Sequence, residues 1–366
     1  MKITAAVATA PQTELEIREL ELDEPRPDEV TVRMVASGVC HTDAIVRDQW
    51  YPVPLPAVLG HEGAGVVTAV GSAVTDLAVG DKVVLAPASC GECEHCITGH
   101  PQYCVDYFAL NFGGSRADGS SSFADGSDRV SSNFFGQSSF ASHSNVRARN
   151  AVKVSDDAPL ELLGPLGCGI MTGSGSVLNV LRTSPGESIA IFGTGAVGLA
   201  GMLAAIAAGA TTVIMVDIVP SRLEFARELG ATHVVNSAEV DAVAEIREIT
   251  GGRGVHTALD TTGVPQVFSQ MTKSLALRGR GVLVGAAKLG TEAPFDIGTL
   301  LTSGITISMV VEGDAVPREF IPRLISLYEQ GLFPFDKLVK TYDFADINAA
   351  FADSESGATI KPVLRF

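Results

Sequence analysis

The stretch SIAIFGTGAVGLAGMLAAIAAGA, residues 188–210, decides the fold of this chain. It begins with a short apolar run, passes through a turn that carries three glycines, and continues as a long apolar run typical of a buried helix. A second apolar strand pattern follows in TTVIMVDIV, residues 211–219, and an amphipathic helix pattern follows that in PSRLEFARELGA, residues 220–231. Apolar strands that alternate with helices predict a parallel sheet covered on both faces.

The turn has the G-x-G-x-x-G spacing of dinucleotide-binding turns, in Gly193, Thr194, Gly195, Ala196, Val197 and Gly198. Glycines at these positions let backbone N–H groups at a helix N-terminus approach a pyrophosphate. Asp217 ends the second strand, where a carboxylate can accept both ribose hydroxyls of the adenosine. It would repel a 2′-phosphate, so the pattern predicts NAD rather than NADP. Arg222 follows closely and could bind a phosphate, which would favour NADP. Asp217 precedes it in the chain and should dominate the choice of cofactor. A glycine-rich turn without a ligand is the other interpretation.

The pattern of the chain changes on either side of this region. Before about residue 150, alternating segments such as EVTVRMVAS at 29–37 are separated by Gly, Pro and Asp turns, which predicts a β-rich domain. We therefore expect an α/β chain with a Rossmann domain and doubly wound parallel sheet at 170–312, and a β-rich domain formed by 1–169 and 313–366. Residues 110–136 are rich in Gly, Ser, Asp and Phe and predict a long loop. That loop is either a flexible surface insertion or a cover for the site or for a subunit contact.

The composition excludes several classes of partner. The net charge of −16 disfavours binding to nucleic acid and to anionic membranes. The N-terminus lacks the pattern of a signal peptide, and no uninterrupted apolar run is long enough to span a bilayer. We therefore expect a cytoplasmic protein with a small-molecule substrate.

Four of the six cysteines fall within fifteen residues, in SCGECEHCITGHPQYC at 89–104. They are Cys90, Cys93, Cys96 and Cys104. Zn²⁺ takes four thiolates at tetrahedral corners, and short loops supply them, so this spacing predicts a closed structural zinc site in a lobe at about 88–106. In a secreted protein, all six cysteines of the chain could instead form three disulfides.

The other two cysteines stand apart, Cys40 in GVCHTD and Cys168 in GPLGCG, with His61 in GHE between them. A single buried Cys or His is more often a structural residue than a metal ligand. Together, two thiolates and one imidazole neutralise Zn²⁺ and leave a fourth position for water or an alcohol. The metal lowers the pKa of that ligand. The sequence therefore predicts two zinc ions per chain, one structural and one catalytic.

These motifs resemble the zinc-containing medium-chain alcohol dehydrogenases over almost the whole chain. The resemblance is carried by the four-cysteine lobe and by GVCHTD, GHEGAGVV, VGDKVVLAP, GPLGCGIMTG, GTGAVG and IKPVLRF. It implies that the β-rich domain is GroES-like and that Cys40, His61 and Cys168 bind the catalytic zinc. It also implies that the four clustered cysteines bind the structural zinc.

The resemblance implies further roles at the site. Thr42 would hydrogen-bond the alcohol and start a proton relay, Asp43 would hold the zinc-binding imidazole, and Glu62 would approach the metal during ligand exchange. His41 and Lys361 would lie near the NAD pyrophosphate and Thr172 near the nicotinamide. Some relatives carry a histidine three residues after Thr42, where this chain has Ile45. The proton would then leave through His41, or through ribose hydroxyls and water.

The segment CHTDAIVRDQWYPVPLPAVLGHE and the insertion NFGG…GSSSF resemble the bacterial aryl-alcohol (benzyl-alcohol) branch. Trp50 would wall an aromatic pocket near the zinc, unless it packs on the adjacent proline run. Ala86 is small and would leave room for a ring. The strand near GITISMVV resembles the segment through which the family dimerises, so a homodimer is expected and a homotetramer is possible.

We therefore predict an NAD-dependent, zinc-dependent oxidation of primary aromatic or allylic alcohols to aldehydes. The alternatives within the class are a medium-chain, long-chain or terpene alcohol dehydrogenase and a formaldehyde–thiol adduct dehydrogenase. A non-catalytic member and a zinc-free quinone reductase are the alternatives outside it.

Overall fold

The structure, a computed structural model, describes residues Met1 to Phe366. Its strands are β1 Lys2–Ala8, β2 Glu16–Leu22, β3 Glu29–Gly38, β4 Ala57–Val58, β5 Gly63–Val70, β6 Lys82–Leu85, β7 Phe123–Asp125, β8 Asp128–Val130, β9 His143–Arg147, β10 Ala151–Lys153, β11 Ser188–Phe192, β12 Thr212–Asp217, β13 His233–Asn236, β14 Val255–Asp260, β15 Leu275–Leu283, β16 Thr306–Met309, β17 Val339–Asp343 and β18 Lys361–Arg365. Its helices are α1 His41–Arg47, α2 Glu94–Ile97, α3 Tyr107–Phe112, α4 Leu160–Leu163, α5 Gly169–Gly175, α6 Ala196–Ala207, α7 Pro220–Glu228, α8 Ala242–Ile249, α9 Pro265–Ser274, α10 Ile297–Leu300, α11 Pro317–Glu329 and α12 Ile347–Ser356.

The chain divides into two units. The β-rich unit comprises Met1–Cys168, Val316–Arg323 and Asp336–Phe366, and the parallel-sheet unit comprises Gly169–Ala315 and Leu324–Phe335. The predicted boundaries followed chain order and assigned 313–366 to the β-rich domain as one piece. In the structure, residues 324–335 belong to the parallel-sheet unit instead.

The β-rich unit contains two sheets. One has the order β4-β1-β2-β7-β8, and the other has the order β10-β6-β5-β3-β18-β17 with β9 also paired to β3. All the pairs in these sheets are antiparallel except β17 with β18. Apolar residues of β1 and of the loops before β9 fill the core beside the first sheet. This agrees with the β-rich domain predicted from alternating apolar residues.

The parallel-sheet unit contains six strands, all parallel, in the order β13-β12-β11-β14-β15-β16. Every residue of β11 is buried, which explains its uninterrupted apolar sequence. The strand order reverses between β11 and β14. In open α/β sheets, ligands bind beyond the carboxyl ends of the strands at such a point. The α/β fold class with a doubly wound parallel sheet is confirmed.

Residues 110–136, which were predicted to form a long loop, contain regular secondary structure. The segment contains the end of α3 and the hairpin β7–β8, whose three-residue strands are too short for a periodic signal. Arg116 anchors it: Nε lies 2.7 Å from a Glu29 oxygen, and its two terminal nitrogens lie 2.7 and 2.9 Å from the Asp23 carboxylate. The Arg116 side chain is almost completely buried. A buried, doubly paired guanidinium fixes the segment to β3 and to the loop before it.

The helices are all too short or too polar for any of them to traverse a lipid bilayer.

Candidate metal centres and dinucleotide site

The first candidate centre is built around the start of α1. Cys40 precedes α1 in extended conformation, and its backbone N–H donates to Oδ2 of Asp43 at 3.0 Å. Asp43 is completely buried and acts through both carboxylate oxygens, since Oδ1 accepts from the Gly60 backbone at 3.1 Å. One carboxylate therefore ties together two backbone segments that carry predicted ligands.

The His61 ring is oriented by the same carboxylate. Its Nδ1 lies 2.8 Å from Oδ1 of Asp43, and both side chains are inaccessible to solvent. The other ring nitrogen, Nε2, is buried and has no hydrogen-bond partner. A buried, unpartnered imidazole nitrogen is costly unless something binds it. The preceding Gly60 has φ +89°, and a Cβ there would lie 2.5 Å from the Phe140 backbone nitrogen, which explains the glycine of the GHE motif.

The structure brings the separated ligands together. Cys40, His61, Glu62 and Cys168 each place one ligand atom in a cluster within 4.8 Å of one another. A hydrogen bond from Cys168 and the charge of Lys361 hold the pKa of Cys40 well below its usual value, although burial opposes this. Burial lowers the pKa of His61, but Asp43 and Cys40 together raise it well above its usual value. Two thiols and an unpartnered imidazole suit a zinc ion with one further position.

Glu62 and Lys361 form a buried ion pair beside this cluster. The Lys361 ammonium lies 2.9 and 3.0 Å from the two Glu62 oxygens and also donates to the Val39 carbonyl at 3.2 Å. Both side chains are almost fully buried. The structure thus brings Lys361 to the metal cluster through Glu62, and its place near a pyrophosphate stays a prediction.

Two phenylalanines that the sequence analysis missed pack on the His61 ring. Phe135 stacks on it with ring centroids 4.5 Å apart and an interplanar angle of 28°. Phe134 meets its edge at 5.5 Å. Phe112 and Tyr51 extend the aromatic cluster away from the histidine. The only sequence signal was the FF pair itself, inside a segment that looked like an irregular loop.

The second candidate centre is the four-cysteine lobe. The sulfur atoms of Cys90, Cys93, Cys96 and Cys104 lie within 4.8 Å of one another, and none is in a disulfide. Backbone N–H groups of Cys96 and Val105 lower the pKa of Cys93 to about 6, whereas burial raises the pKa of Cys104 to about 12. Four thiols at this separation fit a tetrahedral zinc ion, which would hold all four as thiolates.

The glycine turn lies between β11 and α6. Gly193 has φ +95°, and a Cβ there would lie 2.4 Å from the Thr261 hydroxyl oxygen. At Gly198 a Cβ would lie 1.9 Å from the Gly193 carbonyl oxygen, whereas at Gly195 it would meet nothing within 4 Å. Gly195 precedes α6 with no side-chain cap, so the N-terminal N–H groups of Ala196, Val197 and Gly198 are not capped. The turn fits a dinucleotide pyrophosphate.

The glycine turn orients the carboxylate of Asp217, the residue predicted to bind the adenosine ribose. Its Oδ2 accepts from the backbone N–H and the hydroxyl of Thr194 at 2.7 and 2.6 Å, and its Oδ1 accepts from two backbone N–H groups of its own loop. Thr194 thus holds the carboxylate at the carboxyl end of β12. Arg222 follows on α7, and its Nε is buried without a partner.

The remaining predicted residues have these positions. His41 is exposed at the start of α1, and the Thr42 hydroxyl lies 3.8 Å from the Cys40 sulfur. Thr172 donates to Glu312 at 3.2 Å within the parallel-sheet unit. Ile45 and Ala86 are buried, whereas Trp50 remains 42% exposed. Their predicted roles toward cofactor and substrate stay predictions.

Comparisons with known proteins identify the family. A model of the alcohol dehydrogenase GroES-like domain matches residues 26–156, and a model of the zinc-binding dehydrogenase domain matches residues 196–330. A geraniol dehydrogenase from Castellaniella defragrans is 47% identical over 96% of this chain and 94% of its own length. A putative alcohol dehydrogenase D from Mycobacterium tuberculosis is 36% identical over the full length of both chains.

Two solved structures superpose closely. A benzyl alcohol dehydrogenase from Acinetobacter calcoaceticus is 50% identical with a TM-score of 0.97, and an alcohol dehydrogenase zinc-binding domain protein from Burkholderia ambifaria is 58% identical with a TM-score of 0.98. Each comparison covers 100% of this chain and 99% of the other. The chain therefore belongs to the zinc-containing medium-chain alcohol dehydrogenase family and is an oxidoreductase of that family.

Proposed function

We propose that the protein catalyses the reversible, NAD- and zinc-dependent oxidation of primary aromatic and allylic alcohols to aldehydes. The observation that carries this proposal is the cluster of Cys40, His61 and Cys168, in which Nε2 of His61 is buried without a partner. Such a nitrogen beside two thiols has the chemistry of a metal ligand, and one further position would remain for the alcohol oxygen.

Two zinc ions per chain are part of the proposal. Cys40, His61 and Cys168 would hold the catalytic ion with Glu62 beside it, and the four-cysteine lobe would hold the structural ion. When bound, zinc acidifies the alcohol hydroxyl and NAD accepts hydride from the carbinol carbon, so that alcohol and NAD⁺ become aldehyde, NADH and a proton.

The proton from the alcohol hydroxyl needs an acceptor beside the metal cluster. Thr42, whose hydroxyl lies 3.8 Å from the Cys40 sulfur, is suited to that role. Ile45, one turn further along α1, is buried and apolar and cannot carry a proton. The neighbouring His41 is exposed and titratable, so we propose it as the exit to solvent.

The substrate class rests on two relatives and on the aromatic cluster. Geraniol is a primary allylic alcohol and benzyl alcohol a primary aromatic one, and enzymes named for these two substrates resemble this chain over nearly its full length. In both substrates the carbon that bears the hydroxyl is bonded to an sp² carbon. Phe134 and Phe135, which are buried and packed on His61, make the surroundings of the metal cluster apolar, which suits such a group.

The protein is also proposed to form a homodimer through the free edge of β16. This strand ends the parallel sheet, and Met309 on it is 62% exposed. Nearby in sequence, Ile297 and Leu301 are 74% and 82% exposed. An open strand edge that carries an exposed apolar side chain is a typical pairing surface. Light scattering on the purified protein distinguishes the dimer from a monomer and from a tetramer.

Initial rates over a panel of alcohols test the proposed function. We expect benzyl, cinnamyl and geranyl alcohols to exceed ethanol by at least about a hundredfold in kcat/KM, equivalent to about 2.7 kcal/mol. Burial of a ring or allylic chain supplies this at about 25 cal/mol per Å². NAD should be preferred to NADP, and removal of zinc should abolish turnover. Ethanol as good as benzyl alcohol would contradict the substrate class, and activity of zinc-free protein on quinones would favour a quinone reductase.

A further inference from the structure

The carboxamide of Gln137 contacts the backbone on both sides of the predicted metal ligands. Its Nε2 donates to the His61 carbonyl at 2.9 Å, and its Oε1 accepts from the Gly63 N–H at 3.0 Å. Gln137 is 1% exposed, so no water competes for these two bonds. The pair of bonds therefore fixes the main chain that carries His61 and Glu62.

The local sequence is adapted to this contact. A Cβ at Gly63 would lie 2.8 Å from the Cβ of Ser139 and 3.0 Å from Oε1 of Gln137, so only glycine lets the amide approach. Asn and Gln present a donor and an acceptor from one planar amide, and Gln has the greater reach. Since a buried, unmatched backbone group is costly, the pairing is specific for the carboxamide.

The segment that carries Gln137 also contacts the His61 ring. Phe135 stacks on the face of the ring and Phe134 meets its edge. Phe135 is held at φ +51°, a left-handed conformation that is unfavourable for a bulky residue. The Ser144 hydroxyl donates to the Gln137 carbonyl and ties the segment to β9. One short segment thus contacts the histidine from the ring face, the ring edge and the main chain.

We propose that Gln137 is a positioning residue for the metal ligand His61. It fixes the main chain of the ligand, while Asp43 fixes the rotation of the ring, and the two together aim Nε2 at the Cys40 and Cys168 sulfurs. This inference rests on the proposed metal centre at Cys40, His61 and Cys168. It assigns to residues 134–137 a function at the metal that is additional to the contact with substrate proposed for Phe134 and Phe135.

The test replaces the amide and follows the metal directly. Gln137→Met keeps the length of the side chain and removes both hydrogen bonds. Asn145→Leu is the matched control, because Asn145, on β9, is also a buried amide with both ends bonded, to Thr31 and Asp23 rather than to the main chain of a candidate ligand. Should Gln137→Met not fold, Gln137→Asn, which keeps the amide but shortens its reach, takes its place in the same comparison.

Each protein is loaded with cobalt(II), whose absorbance separates a site with two thiolates and one imidazole from a four-thiolate site. In competition with a chelator, we expect the mixed site of the Gln137 variant to bind cobalt about 10–100-fold more weakly than that of the wild type, the range typical of residues that support a ligand. Its ligand-field bands should shift, its kcat should fall, and its KM for NAD should be unchanged. The four-thiolate bands and the Asn145→Leu protein should match the wild type in these respects.

If the Gln137 variant has the same cobalt spectrum as the wild type and retains cobalt equally well, this inference is overturned, whereas the proposed function is not affected. Equal cobalt loss from Asn145→Leu would also overturn it, because the effect would then be general destabilisation. A wild-type protein that takes up no cobalt at the mixed site would overturn both this inference and the proposed function.

Discussion

Oδ1 of Asp43 lies 2.8 Å from Nδ1 of His61, and both side chains are fully buried. The carboxylate can only accept, so Nδ1 carries a proton, and Nε2 is the ring nitrogen left for a metal. The unpartnered Nε2 is thus oriented by a residue that is not itself one of the four candidate ligands.

Replacing this carboxylate should weaken the catalytic metal site. In Asp43→Ala, the imidazole loses its orientation and the Cys40 and Gly60 N–H groups lose their acceptor, so we expect metal affinity to fall about 10–100-fold. Zinc retained after dialysis against a chelator gives the measurement. The control is Asp48→Ala, at the end of the same helix, where Asp48 pairs with Arg47. Unchanged zinc retention in Asp43→Ala would refute the role of the pair.

The two metal sites should fail in different ways. Wild-type protein should contain two zinc ions per chain by elemental analysis. Cys168→Ser should abolish turnover and leave the fold nearly intact, since an open site serves chemistry, whereas Cys93→Ser should weaken folding or assembly. Thermal unfolding and zinc content of both variants are the measurements. Equal loss of fold in the two variants would contradict this division.

Cofactor choice should depend on the Asp217 carboxylate. With both oxygens held by backbone and Thr194 donors, it cannot turn away from a 2′-phosphate. We expect NAD to be preferred over NADP by at least about a hundredfold in kcat/KM, about 2.7 kcal/mol, and Asp217→Gly to narrow the gap. Asp241→Asn, at the N-terminus of α8, keeps a capping side chain and should leave the ratio unchanged. A wild-type enzyme indifferent to the 2′-phosphate would show the assignment to be mistaken.

The preference for aromatic alcohols should depend more on Phe135 than on Trp50. Phe135 stacks on the His61 ring, whereas Trp50 is 42% exposed. We expect Phe135→Ala to lower the ratio of kcat/KM for benzyl alcohol to that for hexanol by about 3–10-fold, since an aromatic contact contributes about 0.5–1.5 kcal/mol. Trp50→Ala is the paired variant. A larger drop in that ratio from Trp50→Ala would restore Trp50 as the main pocket residue.

The stability of the parallel-sheet unit should depend on Asp260. Burial raises the pKa of this carboxyl, and hydrogen bonds from Thr262 offset only part of that rise. Because the pKa in the folded state exceeds that in the unfolded state, the stabilising contribution is complete below the unfolded pKa, about 3.9. It is lost as the pH rises through the folded pKa.

Asp260→Asn removes that dependence. Without cofactor, its Tm relative to that of the wild type should be higher at pH 8 than at pH 4, because only the wild type loses the contribution of the protonated carboxyl. Differential scanning calorimetry at several pH values provides the measurement, with the exposed Asp241→Asn as control. A Tm difference that is constant with pH would rule out the effect.

Much of the fold could be predicted because its signals are local. The glycine turn at Gly193 and the apolar strands beside it are short-range sequence patterns, and they indicate a parallel sheet directly. The candidate ligands could also be recognised in the sequence, since Cys, His and their spacing reflect metal chemistry rather than packing. The structure adds that Cys40, His61 and Cys168 lie in one cluster, which their separation in sequence does not show.

The support around the ligands was not predictable in the same way. Gln137 reaches His61 across 76 residues of chain, and no local pattern distinguishes it from an exposed glutamine. Phe135 has a left-handed backbone that its residue type argues against. The hairpin β7–β8 is held by Arg116 and its distant carboxylates, so its order arises from tertiary ion pairs rather than from periodicity.

The Arg116 arrangement has a consequence for chimeras between family members. A loop exchange that transplants residues 113–133 without Asp23 and Glu29 would insert an unmatched guanidinium into the recipient. The reverse exchange would leave the almost fully buried Glu29 in this protein without its cation. Removing one partner of a buried pair commonly costs about 3–5 kcal/mol. The insertion and its two carboxylates are therefore one transferable module, although 87 and 93 residues of chain separate Arg116 from Glu29 and Asp23.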